Sequence, residues 1–447
     1  MRANTNYMTY EMPDSFEDAA PPAGPRHRVP KIAFGAIVGV SALLAVPTVG
    51  MASTQAPHLT GSAARIVLTE EDYYTGPNPW TTILAAYHKL NPNVTFKRTV
   101  IDQNDYIPQV LNQAGAKGLP DIVMLDNPYV DEVASTGVLS PLESLGNLPI
   151  SGIVSTELRD GEYNGKLYAL PMYTNTEAIF YNKKMFAAAH LTPPKTWAEF
   201  ISDAKALTTP QHYGYVDSLL PGGDNAVWRL FPYIWTNAGT DAVQHLLSSE
   251  VVAGLNVFTQ LARDGSMPKS VVTWNDQEKD DYFNTGRAAM MDEGIWDLPT
   301  ENAVKGLDYG VIPIPVPKLG DRLYVPTGGE TWTIPTTDSP QAKAATFAFF
   351  KWLDTPKVDA YVSVLFSCIP TIKSAIPATL KQLDPRAAVF AQELVGGGTA
   401  RTPTFANPLQ FDAIGNMLGD AMDATVLGKS ATQALQSIAS QVEALDK

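Results

Sequence analysis

Arg65-Ile66-Val67-Leu68-Thr69 opens the stretch, running to Leu125, whose reading decides the fold class. Its apolar, β-branched run predicts a short strand. From Pro79 to Leu90 the period changes, and Trp80, Ile83, Leu84 and Tyr87 fall on one helical face. Asn91-Pro92-Asn93 breaks that helix. Val94 to Ile101 then reads as a second strand, Tyr106 to Ala116 as a second helix and Asp121 to Leu125 as a third strand. Strands alternating with helices predict an α/β unit with a parallel sheet covered on both faces. Ligands of such sheets sit beyond the carboxyl ends of the strands. That puts Glu70 to Tyr74 and Asp126 to Tyr129 on one rim.

Beyond this unit the punctuation continues. Asn164-Gly165 is a hairpin turn signal. The surrounding Asp160 to Pro171 lacks the closing Glu of a calcium loop, which excludes calcium there. Thr196 with Glu199 predicts a capping box, so Trp197 reads as packing. Val251 to Arg263 is helical, and Gly310 to Val316 is a strand. Pro313, Pro315 and Pro317 suit an edge or a crossing there. Ala342 to Leu353 is an apolar helix. Phe411 to Leu445 holds helices around Gly428-Lys429-Ser430.

At 447 residues, 45% apolar and 17% charged, the chain is globular and long enough for two or three core units. The net charge is −14, which repels nucleic acid and anionic lipid. Cys368 is the single cysteine and the six histidines are scattered, so neither a disulfide nor a Cys/His metal site is expected. Arg26, His27, Arg28 and Lys31 precede an apolar run from Ile32 to Val49, and small residues follow at Gly50 and Ala52. Residues 1–52 therefore read as an N-terminal extension and signal peptide, or as an anchor if the run stays uncut. No cysteine stands directly after the run to carry a lipid.

Gly165-Lys166-Leu167-Tyr168-Ala169-Leu170-Pro171, Asn175 and Tyr181-Asn182-Lys183 form a signature that Pro193-Pro194-Lys195-Thr196-Trp197 continues. A second block runs from Gly286-Arg287-Ala288-Ala289-Met290 to Gly294-Ile295-Trp296. Gly328-Gly329, Ile369-Pro370-Thr371, Ser374-Ala375 and Gly428-Lys429 follow in order. In these blocks the chain resembles the sugar-type extracellular solute-binding family, which includes maltose-binding proteins. Cys368-Ile369-Pro370 departs from the usual glycine-containing approach to that proline.

The resemblance implies a two-lobed periplasmic-binding-protein fold, each lobe a sheet flanked by helices, joined by hinge crossings. It places lobe 1 at 60–174 plus 326–375 and lobe 2 at 175–325 plus 376–447. Crossings are expected near Asn175, Tyr324 to Gly329 and Ser374 to Leu380. Ligand would bind in the cleft and the lobes would close on it. The partners implied are a small sugar and the membrane permease subunits of an ABC importer. No cofactor and no nucleic acid is implied, and the chain is expected to be an exported monomer in the periplasm or on the outer face of the membrane.

A sugar needs carboxylates, amides or Arg for its hydroxyls and flat aromatics for its ring faces. Asp126 and Asn127 follow a strand on the rim. The resemblance carries a sugar contact to Asn175 and a stacking aromatic to Trp296. Gly329 sits at a crossing, with Trp332 beside it in an alternating run that suits core packing equally. Trp228 and Trp235 lie seven apart on one helical face, one facing the cleft and the other the core. Tyr74 and Trp274 are further platforms, and Arg401 is a donor. Two rivals stand beside the sugar carrier. One is a binding protein for glycerol phosphodiesters or polyols, which would want clustered cations or helix N-termini. The other is a carbohydrate-active enzyme, which would want facing carboxyls, imaginable in Asp126 with Glu71. No Gly-x-Ser-x-Gly elbow, phosphate loop or His-Glu-x-x-His motif accompanies them.

Overall fold

The computed structural model describes residues 65–74, 78–220, 222–396, 400–401, 403 and 405–447. The signal or anchor segment lies outside the described residues. Among them, no helix is long and apolar enough to cross a membrane.

Local chemistry sets the first elements. Pro79 starts the helix Pro79–Leu90 with φ already fixed, and Asn78 Oδ1 caps it by accepting from Thr81 N at 3.2 Å. The strands Ile66–Asp72, Val94–Val100 and Ile122–Asp126 pair in parallel, with Ile66–Asp72 between the other two. The expected parallel sheet stops there. Strand Glu330–Thr333 enters next to Ile122–Asp126 and runs antiparallel to it, with Glu330 opposite Asp126 and Trp332 opposite Met124. Ala169–Pro171 closes the five-stranded sheet, antiparallel to Glu330–Thr333. The reversal arises because Glu330–Thr333 comes back from the other lobe instead of climbing out of a crossover helix.

The second sheet has Glu177–Asn182 at its centre, antiparallel to both Met290–Gly294 and Tyr309–Ile312. Tyr309–Ile312 is shorter than the sequence suggests. Pro313 and Pro315 lack the N–H that a longer ladder requires. Asn164 and Gly165 both take positive φ, 49° and 72°, in the turn that joins Glu162–Tyr163 to Lys166–Leu167. Thr196 and Glu199 form the capping box of helix Trp197–Ala206, and Trp197 packs on Tyr233. Helices Phe411–Val426 and Ala431–Leu445 pack with Gly223–Ala238 and Ser249–Arg263 on the second sheet's side.

Trp80 and Trp332 stack at the heart of the first lobe, with centroids 4.1 Å apart and planes within 10°. Such a pair adds about 0.5–1.5 kcal/mol beyond its burial. At the end of helix Pro340–Leu353, Asp354 is 5% exposed, Oδ2 lacks a partner, and burial pushes its carboxyl up to about 7. In the unfolded chain it titrates near 4. The folded state therefore holds this proton longer, and the stability Asp354 contributes falls as pH rises from about 4 to about 7. Urea unfolding of Asp354→Asn across this window is expected to show a shallower fall than wild type. Identical slopes would place the buried charge elsewhere.

Candidate ligand-binding site

Three crossings bring the lobes together. Asn175 pairs with Gly328, each backbone N–H donating to the other's carbonyl at 3.0 and 3.1 Å. Thr174 pairs with Ile369 in the same way, at 2.8 and 3.0 Å. Gly329 has φ of +147°, and a Cβ there would fall 2.1 Å from the Tyr173 carbonyl oxygen, so only glycine fits. A Cβ on Gly328 would fall 2.4 Å from Trp228 Cζ2 and 2.9 Å from Asn175 Oδ1. The bare glycine backbone thus lets the Trp228 indole and the Asn175 amide close over the hinge.

Aromatics from both lobes line this junction. Trp228, 9% exposed on helix Gly223–Ala238, meets the partly exposed Trp296 edge to face, with centroids 6.2 Å apart. Gly294 makes room for the Trp296 ring, since a Cβ there would sit 2.3 Å from Cη2. On the other side, the Tyr74 and Tyr173 hydroxyls meet, and Phe366 lies 5.0 Å from each ring. Ser367 Oγ donates to the Ile295 carbonyl at 3.2 Å, which ties the Phe366 end to the turn that carries Trp296.

Glu330 is the buried carboxylate beneath the tyrosines and accepts from Tyr73 Oη at 2.5 Å. Burial pushes Glu330 up, and the hydroxyls of Tyr173, Tyr73 and Tyr74 oppose that rise. Burial, then Glu330, pushes Tyr73 and Tyr74 well above their ordinary range, so they stay neutral. Asp126 lies opposite Glu330 in the sheet and is partly exposed on the expected rim.

The structure brings Tyr74, Asp126, Asn175, Trp228, Trp296 and Gly329 of the expected set to this junction. Three others are placed apart from it. Trp332 is fully buried against Trp80, and its Nε1 donates to Met172 Sδ at 2.9 Å, because the sheet's centre takes its whole face. Trp274 is buried against Tyr282, with centroids 4.2 Å apart, at the start of the next helix. Asn127 is buried, and its amide donates to Asp160 Oδ2 at 3.0 Å, so it braces the rim from below. Arg401 pairs by backbone with Pro326 at the crossing, and its side chain lies outside the described residues. Trp235 is the core member of its helical pair.

Sequence reasoning missed Tyr173, Phe366, Glu330 and an ionic cluster behind Trp228. The Tyr73-Tyr74 doublet after a strand and the Gly328-Gly329 pair were the available signals. In the cluster, Arg229 is 2% exposed and pairs with Glu177, with Asp217 at 3.0 Å, with Asp276 at 2.9 Å and with Asp292 at 3.7 Å. Lys279 pairs with Glu293 at 2.6 Å and Asp276 at 3.1 Å. These bonds fix helix Gly223–Ala238 to the second sheet, and with it the neighbouring Trp228.

Two α/β lobes meeting at paired crossings define the periplasmic-binding-protein architecture. Residues 82–388 match the family of bacterial extracellular solute-binding proteins, and the chain belongs to that family. A binding protein of Brucella abortus is 23% identical over 271 residues, 58% of this chain and 64% of that protein. The chain thus aligns with a little under two thirds of that relative's length. The diacetylchitobiose-binding protein DasA of Streptomyces coelicolor is 23% identical over 383 residues, 81% of this chain and 86% of the relative. The GacH receptor of Streptomyces glaucescens, solved unliganded and with acarbose, superposes with TM-score 0.74 at 21% identity. It covers 86% of this chain and 99% of its own. These structural likenesses establish the fold.

Proposed function

We propose that the protein captures a neutral sugar between its lobes and delivers it to an ABC importer without altering it. The observation that carries this reading is the convergence of Tyr74, Tyr173 and Phe366 with Trp228 and Trp296 on the Asn175–Gly328 crossing. Aromatic faces suit the C–H faces of a sugar ring, while Asn175, Asp126, Glu330 and the tyrosine hydroxyls suit its rim. Relatives described as diacetylchitobiose- and maltotriose-binding proteins agree with it.

We place lobe 1 at residues 60–174 plus 326–375 and lobe 2 at 175–325 plus 376–447. In this reading the chain is exported, either freed at Ala52 or held by an uncleaved N-terminal helix, and works as a monomer with permease subunits as partners. Glycerol phosphodiesters and polyols form the second ligand class. Similar folds have been solved with ribitol and with glycerophosphocholine.

A thermal-shift screen of mono- and oligosaccharides, polyols and glycerol phosphodiesters tests the ligand class. A sugar at a hundred times its Kd is expected to stabilise the protein by about 2.7 kcal/mol. A response to phosphodiesters alone would overturn the sugar reading, and hydrolysed sugar after long incubation would overturn the non-enzymatic one. Small-angle scattering tests the mechanism. The radius of gyration is expected to fall when ligand saturates the protein, as the lobes close. An unchanged radius, with binding confirmed by calorimetry and an open form present before ligand, would refute closure.

A further inference from the structure

Behind the turn that carries Trp296, three carboxylates from different segments converge. Asp280 lies on helix Asp276–Asn284, Asp297 ends the turn Ile295–Asp297, and Glu301 lies on helix Leu298–Ala303. One oxygen from each lies within 4.8 Å of the others. Glu301 is 1% exposed, and neither of its oxygens has a hydrogen-bond partner. Asp280 is also buried, and its Oδ1 has none. The nearest cations are shared: Lys279 attracts all three carboxylates but pairs directly with Glu293 and Asp276, Arg386 attracts Glu301 but pairs directly with Asp384, and Arg229 holds four other carboxylates.

A buried carboxylate without a hydrogen bond, and with only a shared counter-charge, is costly. The wider cluster makes the deficit larger. Glu177, Asp217, Asp280, Asp292, Glu293 and Glu301 are all buried, against the two buried cations Arg229 and Lys279. Oxygens on a calcium ion lie about 2.3–2.6 Å from it, so opposite ligands are at most about 5 Å apart. The trio fits within that sphere. A groove of about 400 Å³, lined by Glu301 with Lys183, Asn302, Tyr309, Asp384 and Arg386, leads to Glu301 from outside.

We propose that Asp280, Asp297 and Glu301 form a divalent-cation site, suited to calcium, that braces the turn presenting Trp296. Hard oxygen donors alone, with no nitrogen or sulfur, select calcium over zinc or copper. The three carboxylates crowd within 4.8 Å of one another, and a cation relieves their repulsion. Asp297 follows Trp296 directly, so the ion fixes the turn whose aromatic faces the cleft. The three ligands come from two helices and a turn, which is why no linear calcium motif announces them.

Terbium, a calcium mimic whose emission is sensitised by a nearby tryptophan, is the direct probe. The chelator-treated protein without its first 52 residues is expected to give sensitised emission that calcium displaces, and to melt several degrees higher in millimolar calcium than in chelator. Glu301→Gln is close in shape and removes one charge from a crowded site, so it is expected to fold in chelator at least as well as wild type and to lose both responses. Asp280→Asn serves as the second variant. If wild type shows neither emission nor a calcium-dependent melt, the carboxyls hold protons instead and the proposal falls. It also falls if Glu301→Gln and Asp280→Asn keep the full calcium response. The readout needs no sugar, so its failure leaves the sugar-carrier reading intact.

Discussion

Trp296→Ala is expected to weaken binding of the best sugar from the screen by about 2 kcal/mol or more, the loss seen when a buried aromatic anchor is truncated. That is roughly a 30-fold rise in Kd. The ring sits over Gly294, which leaves no Cβ in its way, and it meets Trp228 edge to face. It is partly exposed, so its removal should lower the melting temperature little. Calorimetric titration beside a melting curve separates the two effects. Wild-type affinity in the variant, or a large loss of stability without ligand, would make Trp296 a packing residue and move the sugar contact elsewhere.

Arg229→Met is expected to cost about 3–5 kcal/mol of folding stability, the loss that follows when one partner of a buried ion pair is removed. Methionine fills much of the stem but leaves Glu177, Asp217 and Asp292 buried without their shared cation. Urea unfolding gives the number. A second readout ties the cluster to the site. Because Trp228 is the preceding residue on the same helix, sugar affinity should fall in the variant under conditions where it remains folded. A stability loss under about 1 kcal/mol would mean that the carboxylates take up protons at little cost.

The first lobe was legible where order is local. Pro79 and Asn91 bracket a helix whose observed limits, Pro79–Leu90, match the expected ones. Helical periodicity and strong punctuation act over a dozen residues and need no distant partner. What failed needed distant partners. Trp332 alternates like a strand residue wherever that strand lies, and only the insertion between Ile122–Asp126 and Ala169–Pro171 makes both of its faces core. Trp296 and Asn175 stood among the expected residues because family blocks carry them. Glu330, Tyr173 and Phe366 were not, because they come from three separated segments that meet only at the hinge. Arg229 carried no signal in the sequence, since nothing in the linear chain shows that Glu177, Asp217 and Asp292 surround it.

The insertion of Glu330–Thr333 into the first sheet also sets a timetable for the nascent chain. Thr333 Oγ1 donates to the Val123 carbonyl across 210 residues. The second sheet's three strands are all encoded before that strand arrives. Until residue 333 has left the ribosome, strand Ile122–Asp126 presents an open edge and the first lobe cannot finish. Long-range closures of this kind slow folding. The second sheet can therefore pair its strands while the first still waits for the strand that joins Ile122–Asp126 to Ala169–Pro171.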